Sequence, residues 1–352
     1  MNKPKDEPGL QTILSHCGRN LEASGGYVNV PPYEGSTILH DDMEDLFGRV
    51  DNHLYGDGTA QTYGTDGGPT HEAFYDAMNK LEGGAGTWAF STGLAGCTIP
   101  MMAFLKTGDH MLVTDSVYGP TRQFCEVLLK NFGVEAEFYE STIGAGIEKL
   151  IRPNTRLIYM ESPGTHTFEM QDVPAIAAVA RKYNIVTMID NTYATPLNFQ
   201  PLKHGVDVVV HSATKYICGH SDVLMSTVTC NEKNWKQVRD VCKMTGQYAS
   251  AQSVYLGLRG LRTLKVRLDA VGVHTRKVVD WLLKREEVKK VIWPAYEKDP
   301  GYRIYKRDYS GPIGLFAFQL QDQYTDVQIN RFMDSLKPVS YTHLTLPTIL
   351  RV

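Results

Sequence analysis

Apolar positions along this chain alternate between short, nearly solid runs and sparser helical spacing. Runs at 110–114, 156–160, 185–189 and 206–210 are five residues long and read as buried strands, with 88–90 and the alternating 135–139 beside them. Between the runs, 71–82 and 173–183 carry apolar residues at helical intervals, the latter at Val173, Ile176, Ala177 and Ala180 with Pro174 in its first turn. Thr70 is a candidate cap for the first of these helices, and Gly83-Gly84 stops it. Further helices are expected from Ser91-Thr92-Gly93-Leu94 to Lys106 and after Tyr118-Gly119-Pro120. Strands alternating with helices predict an α/β fold around a largely parallel sheet covered on both faces. No internal repeat or low-complexity tract interrupts it.

The flanks behave differently. Residues 1–62 form an irregular arm punctuated by Gly25-Gly26, Pro31-Pro32 and Gly35, and an arm this long is either disordered or packed on a neighbouring subunit. The pattern from 63 to 262 reads as one large domain. After Cys230 the chain turns mainly helical, over 234–244 and 253–290. There Arg262, Lys265, Arg267, Arg276, Lys277, Lys284 and Arg285 are expected on a solvated face over an apolar stripe. A strand at 314–320 begins a second, smaller domain, assigned to 263–337.

Composition narrows the function classes. The 352 residues are 42% hydrophobic and 21% charged, as in a soluble globular chain with room for two domains. A net charge of −3 and the lack of a basic block argue against nucleic acid or an anionic membrane as partner. Six scattered cysteines without a C-x-x-C pair indicate free thiols in a reducing compartment. The first residues lack the apolar core of a signal peptide and no apolar run is long enough to span a bilayer, so the expected location is the cytoplasm. The eleven histidines show no metal-ligand spacing, and Gly84-Ala85-Gly86 does not extend to a dinucleotide-binding fingerprint.

Candidate chemistry gathers where strands end, the usual ligand edge of a parallel sheet. The run 206–210 leads into Ser212-Ala213-Thr214-Lys215-Tyr216. A lysine at the mouth of a buried strand is costly unless its amine is used; burial lowers its pKa and makes it a nucleophile toward aldehydes. The flanking hydroxyls suit a phosphate, and the combination is what pyridoxal 5'-phosphate (PLP) requires. Ser91-Thr92-Gly93-Leu94 at a helix start suits a phosphate too, although a plain capped helix looks the same. Asp190, closing a buried strand, is either a turn cap or the partner of a cation such as a pyridinium. Tyr118 is either packing or a ring that stacks on an aromatic cofactor.

The strings Val186-Thr187-Met188-Ile189-Asp190-Asn191-Thr192-Tyr193-Ala194-Thr195-Pro196 and Ser212-Ala213-Thr214-Lys215-Tyr216 together resemble the Cys/Met-metabolism group of PLP enzymes, over roughly Gly18 to Lys337. The resemblance implies the aspartate aminotransferase-like (type I) fold. Within the group, Glu161-Ser162-Pro163-Gly164-Thr165, Asp172-Val173-Pro174-Ala175 and Gly219-His220-Ser221-Asp222 are most similar to the bacterial cystathionine β-lyase type; the Pro-x-Asn-Pro version usual in γ-enzymes is absent. By position, the resemblance makes Lys215 the covalent partner of PLP and the base, Asp190 the partner of the ring nitrogen, and Tyr118 the stacking residue. Gly93, Leu94, Ser212 and Thr214 become the phosphate cradle, and Tyr63 the tyrosine that a neighbouring subunit contributes. It further implies a homo-oligomer, a dimer of dimers in the family, acting on a small sulfur amino acid by β-elimination of cystathionine. Two alternatives stay open: γ-replacement or γ-elimination at the same site, and an inactive PLP-binding or interaction protein.

Two departures from the family pattern stand out. Thr65-Asp66 occupies the place where an arginine commonly reaches the phosphate across the interface. Residues 338–352 match nothing in the family and read as a non-native tail, and no residue corresponds to the arginine that binds the substrate carboxylate. The small domain is therefore expected to be incomplete, and the chain poorly soluble and nearly inactive.

Overall fold

In the computed structural model, residues 9–56, 58 and 60–336 are described; the expected tail at 338–352 lies outside them. Seven strands make one sheet: β1 (Gly86–Phe90), β2 (His110–Thr114), β3 (Glu135–Tyr139), β4 (Thr155–Glu161), β5 (Val186–Asp190), β6 (Val208–His211) and β7 (Ser226–Cys230), in the order β1-β7-β6-β5-β4-β2-β3. All pairings are parallel except those of β7, which runs antiparallel to β1 and β6. A two-stranded sheet, β8 (Val288–Ile292) with β9 (Ala317–Leu320), follows. Strands β1, β2 and β7 are buried at every position, which is why their sequences are solidly apolar or Thr-rich rather than alternating.

The helices are α1 (Leu10–His16), α2 (Met43–Tyr55), α3 (Pro69–Glu82), α4 (Gly93–Thr98), α5 (Gly119–Gln123), α6 (Val173–Lys182), α7 (Thr195–Asn198), α8 (Glu232–Met244), α9 (Ala251–Leu261), α10 (Leu264–Leu282), α11 (Tyr302–Asp308) and α12 (Asp326–Ser335). Their starts follow local chemistry: Asp42, Asp172, Asn231 and Ser250 each accept the amide three residues on, at 2.8 to 3.2 Å. Gly83 ends α3 at φ 73°, a conformation that favours glycine. One sheet face packs Met111, Val113, Tyr159, Met188 and Val210 against Cys97 and Val238 of α4 and α8. The other packs Leu112, Ile158 and Ile189 against Ile176 and Ala180 of α6. Each fully buried Leu, Ile or Met contributes about 1.5–3 kcal/mol to this core.

Several expectations need correction. The helix begun at Gly93 stops at Thr98, because Pro100 cannot donate to the preceding turn, and only a tight 3-10 turn continues. The helical stretch expected over 253–290 is α9 and α10 followed by the opening of β8. Three members of the supposed solvated basic face are clamps on backbone carbonyls. Arg262 donates to Leu14 and Cys17, Arg267 to Tyr216, Ile217 and Gly260, and Arg276 to Ala295 while lying over the Trp293 ring. The arm is not wholly irregular either. Leu14, Cys17 and Val30 are buried against Phe74, Met78 and Leu258 of the chain's own body, whereas α2 has no buried residue.

Candidate functional site

The carboxyl ends of β4, β5 and β6 bring the candidate residues together. In the parallel β4–β5 ladder Glu161 stands opposite Asp190, and Tyr159 opposite Met188, so both carboxyls project on the face covered by α4. Asp190 Oδ1 accepts from the Thr192 amide at 2.9 Å and hydroxyl at 2.5 Å, and the Cys97 thiol donates to Oδ2 at 3.5 Å. Thr192 Oγ1 in turn accepts the Ser212 amide at 2.8 Å, tying the end of β5 to the turn after β6. Glu161 Oε2 accepts the Tyr118 amide at 2.8 Å, and Oε1 meets the Thr165 hydroxyl. A continuous path of contacts therefore runs from Tyr118 through Glu161, Asp190 and Thr192 to Ser212.

Gly93 lies against that path. A Cβ there would come within 2.7 Å of Ser212 Oγ, so only glycine keeps the start of α4 bare. Thr92 Oγ1 takes the Ala95 amide, and the Gly93 and Leu94 amides precede it at the helix start. From Gly93 to Cys97, whose thiol touches Asp190, the helix rises about 6 Å, the scale of a substituted pyridine ring. That spacing matches a group with an anion at one end and a basic ring nitrogen at the other.

Thr214 departs from the phosphate-cradle expectation in one respect: its hydroxyl donates to the Met225 carbonyl at 3.1 Å and accepts the Met225 amide at 3.0 Å. Lys215 departs more. It is exposed in the turn beyond β6, not buried at the strand's mouth, because β6 ends at His211 and the chain folds back with the Lys215 amide on Ser212 and the Gly219 amide on Lys215. Arg267 fixes the turn by donating to the Tyr216 carbonyl at 2.6 Å, and burial pushes the Tyr216 hydroxyl up to about 12. A cavity of about 670 Å³ opens beside Lys215, lined by Thr214, Tyr216, Ser221, Asp222, Arg267 and His274 among others. Its volume lies within the usual range of small-molecule pockets.

Tyr118 is 44% exposed and Tyr63 52% exposed. Tyr63 sits in the loop before α3, where its amide donates to Asp66 at 3.1 Å. Asp66 also accepts the Thr62 amide and hydroxyl at 2.8 and 2.9 Å, and its Oδ1 lies 4.0 Å from Lys243 Nζ. Asp66, at the place where the family pattern commonly has an arginine, thus serves as the lock of the Tyr63 loop.

Electrostatics at the strand ends favour neutral acids around Asp190. Burial and the Asp190 charge hold the Glu161 carboxyl well above the usual carboxylate range. The same two causes raise the Cys97 thiol, and burial raises the Tyr159 hydroxyl. Sequence reasoning missed Glu161, Cys97 and Thr192 as members of the site. Only Glu161, closing a strand beside Asp190, left a usable trace in the sequence.

The family model for Cys/Met metabolism PLP-dependent enzymes matches residues 11–344. A putative cystathionine beta-lyase of Rhizobium johnstonii is 42% identical over 332 residues, 94% of this chain and 82% of that protein. Cystathionine beta-lyase MetC of Escherichia coli is 36% identical over 95% of this chain and 84% of its own length. Among solved structures, cystathionine gamma-lyase from Lactobacillus plantarum, complexed with L-serine, aligns with a TM-score of 0.85 at 28% identity, covering 94% of this chain and 82% of that one.

Proposed function

This chain belongs to the Cys/Met metabolism PLP-dependent enzymes, and from that premise we propose that it is a carbon–sulfur lyase that cleaves cystathionine by β-elimination. The observation that carries the reading is the strand-end cluster in which Gly93, Ser212, Asp190 and Glu161 meet next to the Lys215 turn. Two further points support β over γ chemistry: Ser162-Pro163-Gly164 in the loop after β4, and the identity to named β-lyases. When bound, PLP supplies an aldehyde that captures the substrate amine and a ring that draws electrons from Cα.

The chain's own residues do the rest. The Gly93 and Leu94 amides and the Ser212 hydroxyl hold the phosphate, with Thr214 joining if its O–H turns from Met225. Asp190 would keep a proton on the ring nitrogen. Tyr118 would lie against the ring. Lys215 Nζ would be the amine that holds the cofactor and the base that takes the Cα proton. The Cβ–S bond then breaks, so that cystathionine and water give homocysteine, pyruvate and ammonia.

The test is the identity of the product. With PLP and cystathionine the purified protein is expected to release pyruvate, at whatever rate it accumulates. 2-Oxobutyrate instead would make it a γ-lyase, the type represented by the L. plantarum structure. Bound PLP with neither product would favour an inactive binding protein.

The same reading gives the exposed arm an occupant, a second copy of this chain. Met43, Phe47 and Leu54 of α2 are each more than half exposed, at the costly end of an apolar surface. Covering them on a second subunit would also bring the Tyr63 loop toward that subunit's site. Phe47→Asp is accordingly expected to dissociate the assembly at micromolar concentration, read by sedimentation velocity. A wild-type chain that already sediments as a monomer would sink the idea.

A further inference from the structure

Among the strand-end residues, Glu161 has no part in the chemistry just described, yet it touches two residues that do. It is 4% exposed, stands in register with Asp190 across the β4–β5 ladder, and accepts the amide of Tyr118. The groups facing it are Asp190 from β5, the Thr165 hydroxyl and Tyr193 from the loops beyond β4 and β5, Tyr159 from its own strand, and Cys97 from α4. We propose that Glu161 is a positioning residue that works as the neutral acid: it holds the Tyr118 backbone over the cofactor and leaves Asp190 as the anion facing the ring nitrogen. The inference rests on the PLP reading above.

The argument is one of donors and acceptors. A carboxylate at 161 accepts from both Tyr118 N–H and Thr165 O–H. A neutral acid accepts at Oε2 from Tyr118 and donates its own proton from Oε1 to Thr165 Oγ1. Two carboxylates side by side in a dry pocket do not both stay charged. Of the pair, Asp190 has three donors to stabilise an anion, the Thr192 amide and hydroxyl and the Cys97 thiol, against two for Glu161, the Tyr118 amide and the Thr165 hydroxyl. The charge therefore rests on Asp190, and burial with that neighbouring charge keeps the proton on Glu161.

Glutamine has the hydrogen-bonding pattern of the neutral acid, with a carbonyl for Tyr118 and an amide N–H for Thr165, and cannot imitate the carboxylate. Glu161→Gln and Glu161→Met are to be compared with the wild-type full chain in two readouts: PLP affinity by titration, and the visible spectrum of the bound cofactor across pH. The Gln variant is expected to bind PLP within about twofold of wild type, with a superimposable pH titration. The Met variant, which removes the Glu161 acceptor from the part-buried Tyr118 amide, is expected to bind about tenfold more weakly. A Gln variant as impaired as Met would overturn the proposal. So would a titration step in wild type that the Gln variant lacks, since that step would be Glu161 losing a proton. Should the Met variant fail to fold, the Gln variant alone decides: PLP affinity about tenfold or more below wild type, or the loss of a titration step that wild type shows, would overturn the proposal. Failure of the PLP reading looks different: wild type itself would then bind no PLP.

Discussion

Lys215→Ala is expected to yield a folded protein that takes up PLP without any covalent attachment. Reduction with borohydride followed by peptide mass analysis should place the cofactor on the Lys215 peptide in wild type and nowhere in the variant. The turn that carries Lys215 is held by backbone hydrogen bonds and by Arg267 on the carbonyls of Tyr216 and Ile217, which the substitution leaves in place, so the variant should stay folded. Turnover should fall below detection, since no other described lysine borders the cavity beside Asp222 and Arg267. Cofactor fixed to a different lysine, or an unchanged rate of pyruvate release, would refute the role given to Lys215.

Lys215 stands out as a candidate in the sequence because its neighbours are hydroxyls and an apolar run, which are local facts. The burial that this run predicts is not found: the strand ends four residues earlier, at His211, and Lys215 is exposed. Strands such as His110–Thr114 and Glu135–Tyr139 were legible to the residue for the same kind of reason, since full burial and alternation are written in consecutive positions. What escaped was long-range. Cys97 meets Asp190 across 93 residues, Arg262 reaches Cys17 across 245, and neither spacing leaves a periodic trace. Asp66 was legible as a missing cation but not as a lock on its own loop, because that depends on the backbone direction of Thr62 and Tyr63. Arg262, just after α9, and Arg267 and Arg276 of α10 depart from the solvated-face expectation for a related reason. A guanidinium with five donors suits a cluster of carbonyls as well as it suits water, and only the packing decides between them.

Asp190→Asn is expected to keep both the fold and PLP binding while slowing elimination by about 10²- to 10³-fold, the usual size of losing one preorganised electrostatic partner. The asparagine oxygen can still accept the Thr192 amide and hydroxyl now on Oδ1, so the link onward to Ser212 survives. The difference falls on the other atom. Where Oδ2 now accepts from the Cys97 thiol, the variant presents an amide N–H₂ that can only donate. Turned toward a pyridine nitrogen, a donor stabilises the unprotonated ring, and an unprotonated ring holds the electrons from Cα poorly. The substitution also removes the charge that helps keep Glu161 protonated, so the Glu161 carboxyl should move back toward its ordinary range, with burial alone still holding it up. Elimination should therefore be lost at every pH rather than shifted along the pH axis, because no titration can return a proton acceptor to position 190. Rates of pyruvate release from cystathionine across pH, beside the spectrum of the bound cofactor, measure this. A variant within threefold of wild type at its pH optimum would mean that Asp190 is the turn cap its contacts with Thr192 also allow, and not the partner of the ring.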